Sequence, residues 1–112
     1  MIFVTAGVTF QAKTRYGAFE MILSFRHKGL RRFYETGDTR GIQANHASKL
    51  RDILFALANT KQVQDMALPG FRLHLLEPKN AGIYAVGVSG NWRVTFRMNG
   101  ENVEIVDYLD YH

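Results

Sequence analysis

The fold is predicted first from residues 92–97, WRVTFR, and from the Asn99-Gly100 that follows them. Its large apolar and polar side chains alternate, and successive side chains of a β-strand point to opposite faces. The tryptophan, valine and phenylalanine are therefore predicted to face a core, and Arg93 and Arg97 the opposite side. Asn-Gly favours the positive φ values of a tight type I′ turn. We predict an antiparallel hairpin with one apolar and one basic face.

Three further stretches between residues 71 and 107 show the same period of two, which is typical of half-buried strands. The last of them is predicted to turn Glu104 and Val106 outward, and Asp107 inward. The predicted core-facing positions are Phe71, Leu73, Leu75, Tyr84, Val86, Val88, Val103 and Ile105. Together with residues 92–97 these stretches predict a meander of four strands.

Two amphipathic segments precede the strands. His27 to Tyr34 is short and basic, and a longer helix is predicted from about Asn45 to Asn59, with Asn45 as its N-cap. Apolar residues of the longer segment recur at i, i+3, i+4 and i+7, as on one face of a helix. They are Ala47, Leu50, Ile53, Leu54, Leu57 and Ala58. The two segments predict a helical hairpin.

Residues 21–25, MILSF, are predicted to form the first strand of the domain, and residues 1–20 an extension of uncertain status. The expected domain is therefore residues 21–112. An N-terminal strand and a two-helix hairpin would pack on one face of a curled, mostly antiparallel sheet. This is an α+β fold.

Composition narrows the function. The chain has 112 residues, 46% of them hydrophobic, enough for one core. It has no cysteine, which excludes disulfides, thiol nucleophiles and cysteine-based zinc sites. A net charge of +4 favours polyanions such as nucleic acid. No apolar stretch is long enough to span a bilayer and no secretory signal is evident, so we expect a cytoplasmic protein.

The open face of the predicted sheet carries four basic side chains, Arg72, His74, Arg93 and Arg97. Such a face suits an RNA strand, although a solvated outer face has the same pattern. Metal-independent RNA cleavage needs a base for the 2′-OH, an acid for the 5′ oxygen, and a cation for the phosphate. His74 and His112 can serve as acid or base near neutral pH. Arg93 can clamp the phosphate and Tyr111 can stack on a base.

These residues also carry a family resemblance. Residues 21–112 resemble the HigB branch of the RelE/ParE toxin superfamily, through the opening MILSF and HKGL, then RLH at 72–74, GNWRVTF at 90–96 and the terminal Asp110-Tyr111-His112. The resemblance implies a RelE-like fold. It also implies that His74, Arg93, Asp110, Tyr111 and His112 are catalytic. Where the family has a lysine three residues after the strand histidine, this chain has Glu77, and Lys79 is the expected substitute.

The resemblance implies a ribosome-dependent mRNA endonuclease that cuts the codon in the A site of the 70S ribosome. A HigA-type helix-turn-helix antitoxin would neutralise it, and DNA would be reached only through the antitoxin complex. Arg72, Lys79 and Arg97 are expected to bind RNA, and no metal or other cofactor is expected. Two other functions stay open, a ParE-like toxin that inhibits DNA gyrase and an antitoxin-bound co-repressor.

Overall fold

The computed structural model describes residues 22–76 and 82–111. In these residues two α-helices precede a four-stranded antiparallel sheet in the order β1-β2-β3-β4. The elements are α1 Lys28–Thr36, α2 Ala47–Asn59, β1 His74–Leu75, β2 Ile83–Ser89, β3 Trp92–Asn99 and β4 Asn102–Asp110, with short 3-10 turns at Ala44–His46 and Val63–Met66. Their arrangement confirms the predicted α+β fold.

Both helices bury the stripe that their spacing predicted. In α1 the buried side chains are Leu30, Phe33 and Tyr34, and the helix ends at Gly37 in the left-handed conformation, with φ 83°. In α2 the buried stripe is Leu50, Ile53, Leu54, Leu57 and Ala58. These side chains and the inner face of the sheet form one core.

The start of α2 differs from the prediction. Asn45 lies inside the 3-10 turn, and α2 begins two residues later at Ala47. His46 occupies the N-cap position without a side-chain hydrogen bond to the helix. The prediction that Asn45 caps the helix is wrong. The 3-10 turn that contains Asn45 runs directly into α2, so the residues before the helix are already in a turn of helical backbone.

The register of the sheet confirms the alternation predicted for β3. Val94 pairs with Val86 on one side and with Tyr108 on the other, and all three are buried against the helices. Phe96 is fully buried and stacks on the ring of Tyr84. The inner face of the sheet therefore carries the core, and the opposite, open face carries Arg93 and Arg97.

The segment predicted as the first strand lies parallel to β4, but it forms only two isolated bridges and not a strand of the sheet. Ile22 and Phe25 form bridges with Val103 and Val106. The Leu23 N–H donates to the Val103 carbonyl at 2.7 Å. This segment covers the outer edge of β4. Met21 and residues 1–20 lie outside the described residues.

The strand expected from Phe71 onward is much shorter than predicted. Arg72 has a φ of 53°, a left-handed value that interrupts an extended chain, and β1 comprises only two residues. Phe71 is buried, but Leu75 is 42% exposed at the sheet edge. The expectation that Leu75 fills the core is therefore wrong.

A β-bulge reverses the alternation expected in β4. The pairing of β3 and β4 shifts between Thr95 and Arg97, and Ile105 has a φ of 47°. One extra residue in a strand moves every later side chain to the other face. Val106 is consequently buried, and Ile105 and Asp107 line the open face, the opposite of the prediction.

The turn between β3 and β4 is also displaced. Asn99 pairs with Asn102 as part of the ladder, so the connecting residues are Gly100 and Glu101. Of these two, Gly100 alone has a positive φ, 64°. A type I′ turn needs positive φ at both central residues, so the expected type I′ turn is wrong.

Candidate active site on the open sheet face

One row of paired residues crosses the open face. His74 pairs with Ala85, Ala85 with Thr95, and Thr95 with Asp107. Directly paired residues of antiparallel strands share a face, so the four side chains of this row point the same way. His74 is exposed, whereas Thr95 is 7% exposed at the centre of the sheet.

The imidazole of His74 is held in a defined tautomer. Its Nδ1 lies 2.9 Å from the carbonyl oxygen of Arg72. A carbonyl oxygen can only accept a hydrogen bond, so Nδ1 carries the proton and donates it. In the neutral ring Nε2 is then unprotonated, and its lone pair is available to accept a proton. The left-handed turn at Arg72 brings that carbonyl back towards the ring two residues later.

The next row on the open face is cationic. Gly87 pairs with Arg93, and Arg93 with Leu109. The guanidinium of Arg72 lies directly over Gly87, where a Cβ would stand 2.5 Å from its Nη2. Any larger side chain at position 87 would displace the guanidinium of Arg72 from this place. Arg72 and Arg93 thus both belong to the row next to that of His74.

Arg93 is anchored to the turn between β2 and β3. Its Nη1 donates to the carbonyl oxygen of Gly90 at 2.7 Å and to that of Trp92 at 3.1 Å. Tyr111 is tied to the same turn, since its N–H donates to the Asn91 carbonyl at 2.8 Å. The strand arginine and the C-terminal tyrosine therefore meet at one corner of the sheet. The Tyr111 ring is 37% exposed there.

Asp110 is placed differently. It pairs with Trp92, which belongs with Val94 to the helix-facing side of the sheet. By strand alternation its side chain starts from that side, at the end of β4, and not from the face of Arg93. Arg93, Tyr111 and Asp110 share a corner, but only the first two are directed towards the open face or its rim.

Arg97 projects from the open face but is already paired. Its Nε donates to Glu104 Oε2 at 2.7 Å, and Asn99 donates to the other oxygen of that carboxylate. The hydrogen bond from Arg97 is the main reason that the pKa of Glu104 lies below its usual range. Arg97 is therefore less available to a phosphate than Arg72 or Arg93.

Two predicted site residues, Lys79 and His112, lie outside the described residues, as does Glu77. Among residues 22–76 and 82–111, no group of three or more histidine, cysteine, aspartate or glutamate side chains is placed to hold a metal ion. No helix in that part of the chain is long and apolar enough to cross a membrane.

Behind the corner lies a buried polar contact that the sequence did not reveal. His46, expected in a helix N-terminal turn, is only 6% exposed, and its Nδ1 lies 2.7 Å from the hydroxyl of Tyr108. The Gln43 N–H donates to the same hydroxyl at 3.3 Å. The ring of Tyr108 packs on Trp92 with their centroids 4.7 Å apart. This contact fixes the end of β4 against the helical layer, two residues before Asp110.

The open face therefore combines one proton acceptor with two cations. By strand geometry the Cα atoms of His74 and Arg93 are roughly 7 Å apart along the strands and roughly 10 Å across them. Side chains of this length can reach a phosphate placed between them, once the Arg93 guanidinium leaves the carbonyl oxygens of the β2–β3 turn. The arrangement can take a proton from a hydroxyl and offset charge on an adjacent phosphate, which are two of the three parts that RNA cleavage by the 2′-OH requires.

Comparison with known proteins identifies the family of the chain. A model of the family described as HigB-like, the RelE-like toxins of type II toxin–antitoxin systems, matches residues 23–112. A protein of Proteus vulgaris named endoribonuclease HigB is 34% identical over 92 residues, which are 82% of this chain and all of that protein. An uncharacterized protein of Haemophilus influenzae is 33% identical over 90 residues, 79% of this chain and 88% of that protein. The chain belongs to the HigB-like family of RelE-like toxins of type II toxin–antitoxin systems.

Proposed function

We propose that this toxin is an endoribonuclease that cuts mRNA in the A site of the ribosome and thereby inhibits translation. The observation that carries the proposal is the tautomer of His74, which leaves Nε2 as a proton acceptor on a face with two neighbouring arginines. The relative from Proteus vulgaris is named for the same activity. Membership of a type II family gives the toxin an antitoxin partner.

In the proposed reaction His74 Nε2 takes the proton of a 2′-OH as that oxygen attacks the adjacent phosphorus. Arg93 and Arg72 offset the negative charge that builds on the non-bridging oxygens. The bond from phosphorus to the 5′ oxygen then breaks, and His112 gives that oxygen a proton. The products are a 2′,3′-cyclic phosphate and a free 5′-OH, and no metal ion takes part.

The other predicted residues have supporting roles in this proposal. Tyr111, exposed beside Arg93, stacks on a base next to the cleaved bond, since aromatic faces bind unpaired bases. Asp110, at the end of β4, supplies a carboxylate to the same reaction. Lys79 and Arg97 contact phosphates further along the RNA. Residues 1–20 take no part in cleavage.

We further propose a HigA-type helix-turn-helix antitoxin as the partner, with operator DNA reached only through that complex. The toxin would act in the cytoplasm, where ribosomes translate.

A brief pulse of expression followed by mapping of mRNA 5′ ends tests the proposal. We expect new 5′ ends inside codons of translated messages, and expect them to vanish in His74→Ala. Glu101→Gln, a charge-removing change in the exposed turn between β3 and β4, serves as the matched control and should leave the ends unchanged. Growth arrest with DNA damage signalling and intact mRNA would instead favour inhibition of gyrase and would contradict the proposal.

A further inference from the structure

A cavity of about 410 Å³ lies on the open face beside the row of His74. Two of its lining residues, Thr95 and Asp107, belong to that row, so the cavity is continuous with the proposed active site. Part of its wall is apolar, formed by Leu76, Ile83 and the residues that flank Asp107 on the same face of β4, and the rest is polar. The volume lies in the range of about 300–1,000 Å³ that is usual for small-ligand sites.

The bulge in β4 is what turns Asp107 into this cavity. Without the extra residue, the carboxylate would point into the core, as the sequence alternation predicted. Ile105 holds the left-handed conformation of the bulge, which a β-branched residue rarely adopts. Its N–H, which has no place in the ladder, donates to the Ser24 hydroxyl at 2.8 Å. Bulges that re-aim a side chain are common beside active sites.

The charged side chains that line the cavity differ in whether they are already paired. Arg97, at one end, is paired with Glu104. Asp107 makes no ion pair within the described part of the chain, and one of its oxygens accepts only the N–H of Tyr108, at 2.9 Å. An ionised carboxylate can accept about four hydrogen bonds, so most of this capacity is open to a ligand. At the rim, Arg26 is exposed and supplies a positive charge for an anion.

We propose that this cavity binds one nucleobase of the RNA, next to the cleaved bond, and selects a base with an amino-bearing Watson–Crick edge. Guanine fits best, because its N1–H and N2–H₂ donors lie side by side and match the two oxygens of Asp107. Uracil offers one N–H between two acceptors, which the carboxylate repels. The apolar part of the wall covers the faces of the base, and Arg26 attracts its phosphate. That the ligand is an RNA strand rests on the proposed function.

Binding of uncleavable RNA tests the proposal without any need for catalysis. The probes are 2′-O-methyl hexamers of uridine that carry a single guanine at each position in turn, with all-uridine and single-inosine hexamers as references. In at least one position, guanine should raise affinity about tenfold over uridine, as a good paired base contact does. Inosine, which lacks the N2 amino group, should give less.

The Asp107→Asn variant should lose this preference, so that guanine and uridine hexamers bind within about twofold of each other. Its side-chain oxygen can still accept the N–H of Tyr108, so the fold is kept, and thermal unfolding checks this. Glu101→Gln removes an equal charge at the distant turn and should retain the preference. Equal binding of both hexamers by the unaltered protein, no binding at all, or a preference that persists in Asp107→Asn would overturn the proposal.

Mapping the cleaved ends separates this proposal from the proposed function. If the unaltered protein cuts mRNA and Asp107→Asn cuts with the same base distribution around the break, the base pocket is wrong and the nuclease assignment stands. If the hexamers show the guanine preference but no mRNA is cut, the nuclease assignment is wrong and the pocket stands.

Discussion

Replacing Tyr108 by phenylalanine should destabilise the protein far more than the loss of one oxygen atom suggests. The ring is 3% exposed, and its hydroxyl contacts His46 at 2.7 Å and the Gln43 N–H at 3.3 Å. Phenylalanine keeps the ring but leaves a buried imidazole nitrogen without a partner. Such a group costs about 1–3 kcal/mol of unfolding free energy. Since Gln43 is exposed, water replaces most of the second contact.

Urea unfolding of the two proteins measures this loss, and the melting temperature should fall by roughly 5–15 °C for a domain of this size. Tyr84→Phe is the matched control. Its ring stacks on Phe96, and within the described residues its hydroxyl makes no hydrogen bond, so we expect a change below about 0.5 kcal/mol.

Two further measurements test the same contact. If the hydroxyl acts through His46, adding His46→Ala to Tyr108→Phe should cost less than the sum of the two single changes. Burial also raises the pKa of Tyr108 above its usual 10. A raised pKa in the folded state contributes stability that is full below pH 10 and is lost as pH rises further. Tyr108→Phe should therefore lack part of the alkaline decline. If Tyr108→Phe and Tyr84→Phe lose the same free energy of unfolding, the buried hydroxyl of Tyr108 does not stabilise the fold.

Three other outcomes are expected. The lowered pKa of Glu104 contributes stability that is present above pH 4.5 and is lost as pH falls below it. Glu104→Gln should therefore make the free energy of unfolding fall less steeply with pH on the acid side. An unchanged acid side would show that the ion pair with Arg97 does not stabilise the fold. Gly29→Ala should destabilise by about 1–3 kcal/mol in thermal unfolding, although alanine favours helix, because its Cβ would stand 2.3 Å from the Gly41 carbonyl oxygen. A protein that begins at Met21 should cleave mRNA at the rate of the full chain, and a large loss in a gel assay would assign a role to residues 1–20.

The sequence predicted those elements whose pattern is local and regular. The stripe of α2 and the alternation of β3 each repeat over several residues, and both are confirmed. Predictions failed where one residue departs from the regular backbone. The left-handed conformations of Arg72 and Ile105 shorten β1 and reverse β4. The bulge is hydrogen-bonded to Ser24, 81 residues away, and a local sequence pattern does not contain that contact.

The same distinction separates the site residues that the pattern placed correctly from those that it did not. Alternation correctly placed Arg93 and His74 on one face, since neither lies beyond a bulge in its strand. Asp110, catalytic by the resemblance, is in register with Trp92, so its side chain starts from the helix-facing side, which alternation alone did not predict. The sequence also gave no sign that His46 is buried, because its partner is 62 residues away. Polar contacts of this range are visible only in the folded chain.

The decisive measurement for His74 as the general base is single-turnover cleavage of mRNA on purified ribosomes. It compares the unaltered protein with His74→Ala. His74 is exposed, so its loss should leave the melting temperature nearly unchanged. If His74 is the general base, the cut end carries a 2′,3′-cyclic phosphate and the rate falls about 100- to 10,000-fold in the variant. Cleavage by His74→Ala at the unaltered rate would contradict this role.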